Sequence, residues 1–187
     1  MDVRVERTRR RLQEALFSLA RERGLEHVAV SDIAERAGVN RSTFYQHYAD
    51  KETVLADALD RIAGEEGARL EIPLIRTETS PEPLVAFLQH IDEHADVYRS
   101  VFSGTGSGVV LARLHGHVRD AVDAALLAAQ RVAPMAAPAD VVAAGVTGSI
   151  VGVIGAWLGM DDRPSAREAA GWIWAIVVEP PPDGLRG

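Results

Sequence analysis

Arg41, Ser42, Thr43, Tyr45 and His47 fall within seven residues, and Lys51 follows four positions later. No nucleophile–base pairing stands out among them, so covalent catalysis is not the chemistry this cluster suggests. These side chains are suited instead to hydrogen bonding. A guanidinium such as that of Arg41 can pair bidentately with guanine. An ammonium at Lys51 can meet a phosphate. Phosphate contacts fix position and base-edge contacts fix sequence, so this mixture suits a nucleic-acid-reading surface.

Such side chains need a short, rigid platform. The stretch Val30–Leu55, VSDIAERAGVNRSTFYQHYADKETVL, reads as two short helices joined by a tight turn, the layout of a helix-turn-helix. Ile33, Ala34 and Ala37 form the inward side of the first helix, where small alanines permit a close crossing. Gly38 allows the positive φ that a sharp turn needs, and Val39 plugs the angle. Phe44 and Tyr48 lie four apart and share an inward face, while Arg41, Thr43, Gln46 and His47 point elsewhere. Asp50 is placed to cap the next helix through its side-chain oxygen.

DIAERAGVNRSTFYQHYADKETVL resembles the DNA-binding signature of the tetracycline-repressor (TetR) family of bacterial regulators. The likeness lies in the D-I-A-x-x-A-G-V core, the S-T-F-Y-x-H-Y helix and the D-K-E-x-V-L that follows, and it covers about residues 8–60. The resemblance implies that Arg41, Ser42, Thr43 and His47 meet bases or nearby phosphates, and that Tyr45 and Lys51 clamp phosphates. Tyr48 is grouped with these DNA contacts, despite its inward spacing. The family often carries Thr or Ser just before this first helix as cap and phosphate ligand. This chain has Ala29 there, leaving Ser31 as the candidate replacement.

The net charge of −7 argues against nucleic acid only until it is divided. Residues 1–51 hold 10 Lys and Arg against 8 Asp and Glu, whereas residues 52–187 hold 10 against 19. A basic head on an acidic body fits a protein that touches phosphate with one end. The absence of cysteine excludes disulfides, thiolate zinc sites and cysteine nucleophiles. Arginines crowd the N-terminus without an apolar stretch, so a cytoplasmic protein is expected.

Helical spacing recurs along almost the whole 187-residue chain, and no run alternates like a strand for long. The expectation is an all-α protein of about nine helices, with a helix-turn-helix domain over 1–50 and a larger ligand-binding and dimerisation domain over 51–187. A first helix over Arg4–Arg23 ends at Gly24 in the left-handed conformation. Helices near Ser31–Ala37 and Arg41–Tyr48 follow, then a fourth reaching about Leu70. Pro81 or Pro83 opens the fifth, whose apolar stripe is Leu84, Leu88, Ile91 and Ala95. Loops are expected at Pro73–Pro83, at Gly104, Gly106 and Gly108, and from Ala133 to Pro138. Ser165 and Glu168 form a capping-box pattern for the last helix, which Pro180–Pro182 terminates.

Val141–Met160 holds twenty residues without a charge, enough to cross a bilayer, with GxxxG spacings at Gly148/Gly152 and Gly155/Gly159. It lacks basic flanks, and a buried helix needs no charges either, so no membrane partner is expected. Glycines at 145, 148, 152, 155 and 159 follow one seam. Gly148, Gly152 and Gly155, with Trp172 and Ile176, are the expected dimer interface; the alternative is packing within one subunit.

Phe87, Ile91, His94 and Tyr98 share a helical face, and with Phe102 and Trp157 they are the expected pocket for an unknown small-molecule effector. His90-Ile-Asp-Glu-His94 matches H-x-x-E-H, but a catalytic zinc needs a third ligand. A metal-responsive sensor using His90 and His94 therefore stands only as an alternative, as does a helical interaction protein without DNA binding. No cofactor, metal or enzymatic activity is expected. The expected partners are a double-stranded operator, a second copy of the chain and the effector.

Overall fold

The computed structural model describes residues 3–65, 70, 79–102, 108–129 and 137–178. Among them the fold is all-α, with α1 (Val3–Arg23), α2 (Val30–Arg36), α3 (Arg41–His47), α4 (Lys51–Glu65), α5 (Glu82–Glu93), α6 (Ala95–Phe102), α7 (Gly108–Ala129), α8 (Ala139–Leu158) and α9 (Ala166–Val178). A short 3₁₀ turn, Leu25–His27, joins α1 to α2. The chain divides into two compact units. One holds α1–α4 and the first residues of α7, and the other holds α5, α6, the rest of α7, α8 and α9.

In the first unit α1 packs on α2, α3 and α4. Leu12 and Leu16 of α1, Ile33 of α2, Phe44 of α3 and Val54 of α4 are fully buried. Side chains of this kind contribute about 1.5–3 kcal/mol each when removed from water. Gly24 follows α1 with φ 81° and ψ 144°, so its φ is positive as expected but its ψ is extended rather than left-handed helical. Gly38 has φ +65° and makes the turn between α2 and α3.

Helix ends follow local chemistry. Asn40 Oδ1 accepts the Thr43 amide at 2.7 Å, and Asp50 Oδ1 accepts the Thr53 amide at 2.7 Å. Ser165 and Glu168 exchange hydrogen bonds in a reciprocal capping box, Ser165 N to Glu168 Oε2 at 3.0 Å and Glu168 N to Ser165 Oγ at 3.3 Å. The fourth helix ends at Glu65 rather than near Leu70, which is non-helical. Gly108 is the first residue of α7 and not part of a loop. The expected loop positions at 73, 104, 106, 133–134 and 180–182 lie outside the described residues.

In the second unit α9 packs on both α5 and α8, and α6 packs on α8. Arg167 on α9 forms a two-pronged pair with Glu82 on α5, at 2.8 and 3.1 Å. The pair holds the Glu82 carboxyl below its ordinary pKa, first through the hydrogen bond and then through charge. Arg99 on α6 donates to the Leu158 carbonyl at 2.8 Å, which satisfies one of the open acceptors ending α8. Among the described helices α8 alone is long and apolar enough to cross a membrane, yet it packs as a layer of this unit with a third of its most apolar stretch buried.

The glycine seam of α8 divides. A Cβ on Gly145, Gly148 or Gly152 would meet nothing within 4 Å, so these three face outward. A Cβ on Gly155 would lie 2.7 Å from the Phe102 ring, so Gly155 belongs to internal packing against α6 and not to an outward interface. At 3.6 residues per turn Gly155 lies only about 20° round from outward Gly148, so its different surroundings come from its place along α8, level with Phe102 of α6. Gly159 lies just past the helix, its amide bonded to the Gly155 and Ala156 carbonyls.

Candidate nucleic-acid interface

The helix α3 is short and firmly held. Phe44 is fully buried, and Tyr48 at its C-terminal end is 3 % exposed. The two rings lie 6.2 Å apart. With these two anchored, Arg41, Ser42, Tyr45 and Gln46 are exposed and Thr43 and His47 half-exposed. The pairs 41/45 and 42/46 are each one turn apart, so they form one outward face.

Arg41 stands at the first position of that face, and no hydrogen bond or ion pair engages its guanidinium among the described residues. The Ser42 hydroxyl donates to Asn40 Oδ1 at 2.7 Å, which leaves its lone pairs for other donors. Tyr45 is 52 % exposed and rests edge-on against Phe44 at 5.4 Å. Gln46 has the polar spacing of this face but is not among the contacts the resemblance implies. Its amide is exposed on this face and has the geometry to pair with adenine.

One of the expected contacts belongs to the interior instead, and a second is partly engaged within the fold. The Tyr48 hydroxyl accepts from Gln13 Nε2 at 3.0 Å, and the Arg9 guanidinium lies 5.3 Å from the ring centre. Burial pushes the Tyr48 phenol pKa up, so it stays a neutral hydroxyl. Its inward spacing with Phe44 outweighs the DNA-contact assignment. Lys51 is half-buried, and its Nζ donates to the carbonyls of Leu25 and Val28 at 3.0 and 2.9 Å. Two of its three ammonium donors therefore tie the 3₁₀ turn, which leaves one for the expected phosphate contact.

The weak cap at Ala29 is compensated differently from the sequence expectation. Alanine has no side-chain acceptor, and the Asp32 carboxylate accepts the Ala29 amide at 3.1 Å. That backbone bond is the first cause of the lowered Asp32 pKa, and Arg23 pairs with the same carboxylate. Ser31 is exposed and its hydroxyl hydrogen-bonds Asp32, so Ser31 supports the cap without forming it. Arg36 at the end of α2 grips Glu22 of α1 with two bonds of 2.7 and 2.8 Å, and also reaches Ser18. These bonds hold the Glu22 carboxyl down at about 2.

In the second unit the residues expected to line a pocket are Phe87, Ile91, Tyr98 and Trp157, all buried, and His94 and Phe102, half-buried. The helix carrying them is not continuous. It breaks at His94 (φ −113°, ψ 27°), which places Tyr98 on α6 and not on the face of α5 that carries Phe87 and Ile91. The break brings the Tyr98 hydroxyl within 3.3 Å of Nε2 of buried His90, whose ring lies 4.9 Å from that of His94. Trp157 is tied elsewhere: its indole N–H donates to the Pro164 carbonyl at 2.9 Å, and Arg163 covers its ring. No group of three metal-ligating side chains occurs among the described residues.

A buried aromatic anchor beneath an outward polar face, reached through a positive-φ glycine turn, defines a helix-turn-helix head, here followed by a helical body. Residues 12–58 match the family model described as bacterial regulatory proteins, tetR family. Over 66 residues the chain is 39% identical to the uncharacterized HTH-type transcriptional regulator YxbF of Bacillus subtilis, covering 35% of this chain and 17% of that one. Over 54 residues it is 37% identical to the HTH-type transcriptional regulator EthR of Mycobacterium tuberculosis, covering 29% and 25%. The chain thus spans a quarter or less of these curated relatives' length. The fold extends further: FadR of Thermus thermophilus, a TetR-family repressor solved with lauroyl-CoA, superposes with a TM-score of 0.66 at 20% identity. That superposition covers 91% of this chain and 93% of that one. Over residues 12–58 the chain is thus similar to the tetR family of bacterial regulatory proteins, and beyond them the likeness is one of fold.

Proposed function

We propose that this chain is a homodimeric transcriptional repressor that grips a palindromic DNA operator through α3 and lets go when a small molecule occupies its body. The observation that carries the proposal is the outward row Arg41, Ser42, Tyr45 and Gln46 on a helix locked from behind by Phe44 and Tyr48. A rigid helix with its donors aimed outward meets the requirement for major-groove reading. Within the row Arg41 is the specificity residue and Tyr45 a phosphate contact. Such a regulator acts in the cytoplasm, and its family relatives are regulators rather than enzymes.

Dimerisation is assigned to the α8–α9 face. Gly145, Gly148 and Gly152 leave an open strip, and the same unit exposes Val141, Trp172 (38 %) and Ile176 (55 %). Exposed large apolar groups beside a strip without side chains favour close approach of another helix pair. Two heads held in this way enter successive major grooves about 34 Å apart. An effector bound more tightly by a dimer of different head spacing then shifts the population away from the operator-binding state.

The effector site is assigned to α5 and α6. Phe87, Ile91 and Phe102 provide apolar surface, and His90, His94 and Tyr98 provide polar anchors. FadR of Thermus thermophilus, of similar fold, was solved with lauroyl-CoA, which supports a ligand-responsive reading of this body. The adjacent rings of His90 and His94 are the one observation favouring a metal sensor. Against it, Tyr98 already occupies His90 Nε2. Selection of duplexes from random-sequence DNA with the full chain tests the proposal. A recovered two-fold symmetric site supports it, and recovery of no preferred sequence favours the interaction-protein alternative.

A further inference from the structure

We infer that α1 is a second DNA-contacting element, with Arg11 and Arg7 as phosphate ligands beside the helix-turn-helix turn. The inference rests on the operator-binding reading above and extends it to a helix not counted in the reading surface.

Arg11 is exposed, and its Nη2 lies 2.7 Å from the point a Cβ on Gly38 would occupy. The guanidinium therefore rests in space left by the missing side chain, against the turn that leads into α3. Gly38 has two reasons to be glycine: its φ of +65° and this seat. The charge of Arg11 therefore lies at the turn that precedes Arg41 by three residues. Arg7 is one turn back on the same face of α1, about 6 Å along the axis, and it too is exposed.

The pairing of the other arginines sharpens the point. Arg9 faces Asp57, Arg10 pairs with Glu14, Arg23 with Asp32, and Arg36 with Glu22. Arg7 and Arg11 have no carboxylate or hydrogen-bond acceptor among the described residues. A cation near the N-terminal end of a helix also gains nothing from the macrodipole, so helix charge does not account for Arg7. Always charged and fork-shaped, such groups suit phosphate oxygens. Arg21 is likewise exposed and without a carboxylate, but it lies about 15 Å farther along α1 from Arg11 and serves as an internal control.

The experiment measures operator affinity against KCl concentration for the full chain, using the duplex recovered by selection and a scrambled duplex. The variants are Arg11→Gln, the double variant Arg7→Gln/Arg11→Gln, and Arg21→Gln. We expect the double variant to weaken both duplexes by the same factor, leaving their affinity ratio unchanged. Its log–log salt slope should flatten by about 0.9 per lost contact, which is about 1.8 per subunit and about 3.6 for the dimer. Arg21→Gln should match the parent protein. An unchanged slope and affinity in the double variant overturns the inference while leaving the operator reading intact. A loss confined to the operator duplex also overturns it, because phosphate contacts carry no sequence. A parent protein that binds neither duplex overturns the operator reading and this inference with it. Circular dichroism of each variant verifies the helical fold.

Discussion

Gln13 on α1 donates to the Tyr48 hydroxyl at 3.0 Å across thirty-five residues of sequence, and this bond fixes the C-terminal end of the recognition helix. Gln13 is itself buried, and its Oε1 accepts from Arg61 of α4 at 2.7 Å. One amide thus joins α1, the end of α3 and α4. Arg61 lies one turn before the end of α4, where the chain leaves the first unit.

Replacing Gln13 by Leu leaves the Tyr48 hydroxyl without this donor in a buried site. Loss of a net hydrogen bond of this kind costs about 0.5–1.5 kcal/mol. The expected result is a first-unit unfolding transition displaced to lower urea, followed through Tyr48 exposure. A transition that does not move would mean that the bond adds nothing to holding α3.

Gly152 and Gly155 separate assembly from folding. Gly152→Leu adds a side chain where a Cβ meets nothing within 4 Å, so the subunit folds while the proposed dimer is lost. Gly155→Leu instead drives into Phe102, and overpacking of this kind costs about 1–3 kcal/mol. Light scattering after size exclusion reads the first effect and thermal unfolding the second. A Gly152→Leu protein that remains a well-folded dimer would remove the outward glycines from the interface.

The Glu22–Arg36 clamp gives the head an acid limit. The Glu22 carboxyl is held at about 2, first by its hydrogen bond to Arg36, against a usual value of 4.5. A depressed folded-state pKa contributes stability above the unfolded value, so the clamp is fully present above about pH 4.5 and is lost as pH falls toward 2. Titration of the Glu22 carboxyl by NMR should give a midpoint near 2, returning toward the ordinary range in Arg36→Gln. Equal midpoints in both proteins would show the pairing to be absent in solution.

The class of fold and the reading head were legible because both rest on local patterns. Helical periodicity marks nearly every element, and the positive-φ glycine, the buried Phe44 and the Asp50 cap are set by neighbours in sequence. What escaped was set by tertiary partners. The break at His94 has neither glycine nor proline to announce it, yet it moves Tyr98 to another helix. Lys51 reads as a free phosphate clamp, yet the carbonyls of Leu25 and Val28 take two of its ammonium donors. Gly155 shares the spacing of its outward neighbours, and only the position of Phe102 assigns it inward. At Ala29 the missing cap was visible, but Asp32 supplies the replacement, with Ser31 merely supporting it. Arg11 could not be tied to Gly38 by any spacing rule, because the two residues meet only once α1 packs on α2.

The most direct test of the central claim is the affinity of Arg41→Ala for the selected operator and for variants changed at single bases. Arg41→Ala is expected to lose about 1–3 kcal/mol on the intact site, with discrimination relaxed at one base pair in each half-site. Equal weakening on every sequence would contradict the assignment of Arg41 as the residue through which this head reads DNA.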